Sequence, residues 1–151
     1  MDPRPVRRII KEEFTEIGSR DVDQHRRPLR CVIVDSDVAV RGVMRLALAD
    51  CEVVAEKFTS QSDVISACGR RATDVLFFEP DLCGFDPIEV LGALGASGFV
   101  GAVQLVSGSH ALLNQIKRAG ELCGLTMLRP LRKPFRASEI QRIAEDWRKW
   151  R

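Results

Sequence analysis

The sequence contains no run of about 18 apolar residues, so no segment predicts a membrane-spanning helix. Its amino terminus carries arginines with no apolar core behind them, which excludes a secretory signal. Charge of either sign is scarce in excess: a formal net charge of +2 gives no general attraction to nucleic acid or acidic partners. The five cysteines, Cys31, Cys51, Cys68, Cys83 and Cys123, are odd in number, widely spaced and form no CxxC pair. They predict small buried hydrophobes in a reducing cytoplasm, not a disulfide framework. His25 and His110 lie far from any pair of cysteines, which argues against a zinc cluster. No Gly-rich phosphate loop follows the first apolar segment, and no repeat or low-complexity tract occurs.

What is present is an ordinary globular composition, 45% hydrophobic and 29% charged over 151 residues. That suffices for one domain with a real core. The stretch Thr73-Asp74-Val75-Leu76-Phe77-Phe78-Glu79-Pro80-Asp81 organises the chain. Its apolar run, bounded by turn formers, fits a central strand covered on both faces. Pro80 cannot donate to a ladder, so pairing ends there and leaves Glu79 at the strand's carboxyl edge. In open parallel sheets ligands bind outside that edge.

Residues 1–29 read as an amino-terminal arm and 30–151 as the domain. Within the arm Val6, Ile9, Ile10, Phe14 and Ile17 recur at helical spacing, which predicts an amphipathic helix over 5–17 ending at Gly18. Such a helix needs a partner surface, on the domain or on a second subunit, because short isolated helices do not persist. Arg4, Arg7, Arg8, Arg26, Arg27 and Arg30 have no interleaved aromatics and read as solvated faces, so a nucleic-acid partner is not expected.

From Arg30 the pattern alternates. Cys31-Val32-Ile33-Val34 predicts a buried strand ending at Asp35, and Asp37 caps a helix carrying Val40, Val43, Met44, Leu46 and Leu48. Residues 52–55 predict an edge strand, and 60–68 a helix closed by Gly69. Asp86-Pro87 opens a helix through Leu94. Residues 103–106 form a fourth strand stopping at Ser107, and 111–122 a helix with Leu112, Leu113 and Ile116 on one side. A fifth strand over 125–128 precedes Lys133-Pro134, and a last helix from Ser138 carries Ile140, Ile143 and Trp147 on one stripe, with Trp150 a turn on. Five strands alternating with five helices give an α/β fold: a doubly wound, five-stranded parallel sheet with flanking helices.

Four strand ends then carry polar groups at one edge: Asp35, Glu79, Ser107 and Lys133. Carboxylates, a hydroxyl and an ammonium in one crevice suit a phosphoryl group, a metal ion or one another. On these residues the chain, from about Arg30 onward, resembles the CheY-like receiver domain of response regulators, a flavodoxin-like fold. That family's third-strand signature aligns without gaps on residues 78–91, with Ser107 and Lys133 on its hydroxyl and lysine positions. The resemblance implies a cis Lys133–Pro134 bond, a cytoplasmic signalling role without enzymatic turnover, and a protein partner or output domain. It also implies an interaction face through 111–122 and 138–150, with Leu112, Ile116, Trp147 and Trp150 as candidate contacts. A homodimer through those helices or through the arm is one form of it.

The departures from the family are chemical. Glu79 stands at the phosphoacceptor aspartate, and Ser36 at the second member of the acidic pair after Asp35. Pro130 stands at about the position of the family's rotating aromatic, and Cys83 and Pro87 replace the usual Pro and Gly of the following loop. Losing a carboxylate weakens any Mg²⁺ site built on Asp35 and Glu79, so no cofactor is expected to be held firmly. Glutamate's extra methylene extends into the space of the incoming phosphoryl group. Two readings of Glu79 stand: an imitation of phospho-aspartate reaching toward Lys133 and Ser107, or a neutralising ion pair with Lys133. The function expected is a pseudo-receiver acting as a protein-interaction module. The alternatives are a receiver still phosphorylated on Glu79 or Asp81, and the regulatory front end of a longer signalling enzyme such as one of cyclic-dinucleotide turnover. Asp81, two residues past the strand, is expected to face solvent. Cys83 reads as an unreactive loop thiol unless Lys133 lowers its pKa.

Overall fold

Alternating side chains settle how the sheet is covered. In β1 (Arg30–Val34), β3 (Val75–Phe78) and β4 (Ala102–Ser107) every residue is buried, as expected of central strands with helices on both faces. The computed structural model describes residues 27–109 and 111–150. The helix expected over 5–17, and His110, lie outside these residues. β2 (Glu52–Val54) is an edge strand, half exposed. All pairings are parallel, in the order β2-β1-β3-β4-β5 with β5 at Thr126–Met127. The fold is the doubly wound α/β sheet expected from the sequence, with five helices among the described residues.

One face buries Val32, Val34, Leu76, Phe78, Val103 and Leu105 beneath α2 (Gln61–Arg70), α3 (Pro87–Ala96) and α4 (Leu113–Leu122). The other buries Cys31, Ile33, Val75, Phe77 and Val106 beneath α1 (Val38–Ala47) and α5 (Ala137–Trp150). This second cluster includes Leu29, which is fully buried, so the core begins one residue before Arg30.

Local chemistry starts most helices where the sequence places them. Asp37 Oδ1 accepts the Ala39 N–H at 2.8 Å, and Asp86 Oδ1 accepts that of Ile88 at 3.0 Å ahead of Pro87. Ser60 caps α2, but Gly69 lies within that helix and does not close it. In α1, Met44 and Ala47 face the core while Leu46 is 79% exposed. Two residues turn a helix by about 200°, so Met44 and Leu46 cannot share one stripe. Leu112 does not belong to α4. It precedes the helix in a left-handed conformation, φ 65°, and is exposed, while Leu113 and Ile116 pack inward.

The fifth strand departs most from expectation. It comes in two pieces, β5 and β6 (Leu131–Arg132), both paired with β4. Met127 lies opposite Val103 and Leu131 opposite Val106, so three residues, Leu128, Arg129 and Pro130, face the two residues Gln104 and Leu105. That extra residue is a bulge, and Pro130 brings no N–H to a ladder. Gln104, almost wholly buried, fills the gap in pairing: its Nε2 donates to the Arg129 carbonyl at 2.8 Å.

At the sheet's amino edge the Arg30 guanidinium donates to the Ala67 carbonyl, and Asp74 accepts the Arg30 N–H at 2.9 Å. Gly101 enters β4 beside this clasp, where a Cβ would overlap the carbonyl oxygens of Thr73 and Asp74. Gly92, on α3, has open space around the same position. Gly101→Ala should therefore cost about 2 kcal/mol, as overpacking against backbone does. Gly92→Ala should gain up to about 1 kcal/mol from helix propensity. Urea denaturation of the two variants checks the pair; equal midpoints would contradict the packing described here.

Candidate functional site

The site begins where the ladder ends. The Glu79 N–H donates to the Val34 carbonyl at 2.9 Å, one step beyond the last β1–β3 pair. That bond sets Glu79 beside Asp35 at the carboxyl edge. The Lys133 N–H donates to the Ser107 carbonyl at 2.9 Å, which continues the β4–β6 pairing and brings the lysine stem across the same edge. The Lys133–Pro134 peptide bond is cis.

The side chains then meet in two groups. The Lys133 ammonium lies 2.8 Å from Asp35 Oδ2 and 2.8 Å from Glu79 Oε2. Ser36 Oγ donates to the other Glu79 oxygen at 2.9 Å. The Asp37 N–H donates to Asp35 Oδ1 at 2.9 Å, and Arg41 Nη1 donates to the Asp35 carbonyl oxygen at 2.6 Å. In the second group the Ser107 hydroxyl donates to Asp81 Oδ2 and accepts the Ser109 N–H. Asp35, Glu79 and Ser107 are all buried.

Asp35, Ser36, Glu79 and Lys133 thus come together at one edge, with Pro134 next to the lysine. The expected reach of Glu79 to the Ser107 hydroxyl is not found, because Asp81 takes that hydroxyl. Asp81 is exposed, as expected, and its carboxylate also accepts the Ser107 hydroxyl across the turn at Pro80. Arg41 and Gln104 were missed as well; a side chain reaching a distant carbonyl leaves no periodic mark. Cys83 on the β3–α3 loop and Cys123 after α4 are exposed and Cys51 is half-buried, so the burial expected of the cysteines holds for Cys31 and Cys68 only, the two that face the sheet cores.

The expected interaction face also needs correction. Ile116 and Trp147 are buried in the two cores, 6% and 3% exposed, and cannot act as surface contacts. Leu112 is exposed, and Trp150 is half-buried against the α1/α5 core.

Two carboxylates share one ammonium, and their acidities diverge. Burial pushes the Asp35 carboxyl up, and the neighbouring Glu79 adds to it. Burial acts upward on Glu79 too, but its coupling to Asp35, which takes the proton in its place, and the hydrogen bonds donated by Lys133 and Ser36 outweigh it and hold Glu79 below the usual range. Burial would lower Lys133, yet the two carboxylates raise it above an ordinary lysine. The site is therefore a charged triad in which Asp35 is the first group to take a proton.

Among the described residues no three His, Cys, Asp or Glu side chains group to hold a metal ion. The oxygens of Asp35 and Glu79 that face each other are bridged by Lys133, and the Asp37 carboxylate caps α1. This donor set does not fit Mg²⁺, which needs several free oxygens in octahedral array.

No family model matches the sequence, and no curated protein matches it. Solved structures do match in fold. A chemotaxis response regulator of Vibrio cholerae superposes with a TM-score of 0.63 at 15% identity, over 80% of this chain and 98% of that one. A response regulator from Thermotoga maritima gives 0.63 at 13% identity, over 80% and 97%. NtrX from Brucella abortus, solved in complex with ADP, gives 0.63 at 20% identity, over 81% of this chain and 27% of its own. At these identities the likeness is one of fold. No helix among the described residues is long and apolar enough to cross a membrane.

Removing the shared cation should expose the cost of holding both acids. Lys133→Met leaves two buried carboxylates facing each other, a loss of about 2–3 kcal/mol at neutral pH. That is the low end for a broken buried pair, because a fifth of the Lys133 side chain meets water, 21% by relative exposure. A carboxyl whose folded pKa is raised binds its proton more tightly in the native state, so the variant's loss should shrink as Asp35 protonates on acidification. Denaturation of both proteins at neutral and mildly acidic pH reads this. An equal loss at both pH values would remove the acid pair as its cause.

Proposed function

We propose that this chain is a receiver-type signalling module that works by binding a protein partner or output domain and does not run a phosphorylation cycle. The observation that carries the reading is Lys133 set 2.8 Å from both Asp35 and Glu79. In a phosphorylating receiver a carboxylate oxygen must be free to attack in line, with the lysine free to meet the incoming charge. Here both Glu79 oxygens are engaged, one by Lys133 and one by Ser36. Glu79 is also one methylene longer than the aspartate it replaces, so its carboxylate fills volume an incoming group needs. The weakened acid pair gives Mg²⁺ no competitive site, and the module needs no cofactor.

Glu79 supplies one negative charge to Lys133 where a phosphoryl group would bring about −1.5 to −2. It thus holds the lysine as a phosphorylated pocket would, but leaves the Ser107 hydroxyl to Asp81. With Pro130 in the bulge and Gln104 tied to Arg129, no aromatic relays the state of the pocket to the β5 edge. The partner face is the side formed by α4, β5 and α5, and its accessible members include Leu112 and the outer part of Trp150. The output is therefore constitutive, set by the presence of the protein and its partner.

Incubation with acetyl phosphate and Mg²⁺, followed by intact mass measurement, tests the reading. The expected result is an unchanged mass. A gain of about 80 Da would overturn it, and mapping to Glu79 or Asp81 would make the chain a switchable receiver.

A further inference from the structure

Beside the β5 edge, on the outer side of α5, lies a groove of about 1220 Å³. Its apolar floor includes Leu131, Ile143 and Trp150, with the buried Trp147 beneath them, and Arg129, Arg136 and Arg142 stand along its walls. Glu139, Asp146 and Lys149 also line it, so the cations exceed the anions. An apolar floor with surplus positive charge suits an amphipathic segment bearing acidic residues.

We infer that the occupant is residues 5–17 of the same chain, docked along α5 with Glu12, Glu13 and Glu16 toward the arginine walls. The apolar stripe Val6, Ile9, Ile10, Phe14 and Ile17 matches the floor, and the acidic carboxyl half of the segment, which follows the basic Arg7, Arg8 and Lys11, matches the surplus of arginines. Length agrees as well: a 13-residue helix spans about 20 Å, and α5, with 14 residues, about 21 Å. The chain enters the domain on the sheet face that α5 covers. Arg27 pairs with Asp74 at 3.9 Å, and Leu29 shares its core cluster with Trp147. The nine residues 18–26 reach about 30 Å when extended, enough to run the length of α5 and return the segment along it. This docking does not depend on the chemistry of the acidic pocket; it covers Trp150, so the part of the partner face left open is the α4 side with Leu112.

The sequence provides its own probe, since it has two tryptophans, both at the groove, and no tyrosine. In the full chain, Ile10→Glu with Phe14→Glu should shift tryptophan emission to the red and raise the acrylamide quenching constant about twofold. Both positions precede the domain read over 30–151, and far-UV circular dichroism should report that domain intact. Arg136→Glu with Arg142→Glu should loosen the tryptophans similarly, and Glu12→Arg with Glu13→Arg in that background should restore protection. Unchanged quenching in the first variant, or no rescue by the charge swap, would overturn the inference. A light-scattering mass of two chains, with protection lost on dilution, would overturn it too by seating the segment in another copy.

Discussion

A single ammonium between two carboxylates governs this molecule. Lys133 lies 2.8 Å from Asp35 and from Glu79, and those two acids end the adjacent strands β1 and β3. Without the cation the strand ends would repel each other at a buried edge. With it, three elements distant in sequence close on one point: the β1–α1 turn, the β3–α3 turn and the segment after β6. Each remaining feature of the edge is adjusted to that triad. Ser36 fills the second Glu79 oxygen, the Asp37 N–H steadies Asp35, and Asp81 withdraws to Ser107.

Much of this was legible because a doubly wound parallel sheet delivers all its strand ends to one edge. Recognising four strands and the polar residue after each was enough to place Asp35, Glu79, Ser107 and Lys133 in one neighbourhood. Hydrophobic runs gave the strands, and Asp37 and Asp86 gave the starts of α1 and α3. The pairing inside the neighbourhood was less legible. Whether Ser107 bonds Glu79 or Asp81 depends on how Pro80 turns the loop, which is a matter of backbone direction and leaves no trace in composition. The two exchangeable acceptors differ only by that turn.

The interaction face shows a different limit. Apolar residues on α4 and α5 cannot be sorted into core and surface from their type, because a stripe two residues wide serves either purpose. Ile116 and Trp147 go inward, Leu112 leaves its helix, and Trp150 stays half in water. The bulge at 128–130 was equally hidden. Its cause is visible only once Val103 and Val106 are seen to face Met127 and Leu131. Gln104 is the compensation: a polar side chain buried at a central strand position because the bulge leaves the Arg129 carbonyl in need of a donor.

The divergence of the two acids says which of them is the structural partner and which is the guest. Glu79 sits below the usual carboxylate range although it is buried, since it takes hydrogen bonds on both oxygens. Asp35, more deeply buried, is raised and yields first on acidification. A phosphorylating pocket needs the reverse arrangement, with its acidic pair held ionised for a metal and the acceptor carboxylate uncommitted. The sheet and its turns hold Asp35, Glu79 and Lys133 together whatever the order in which the two acids take protons. At this edge the parallel sheet fixes the spacing of the strand ends, and Lys133 and Ser36 between them engage both oxygens of Glu79.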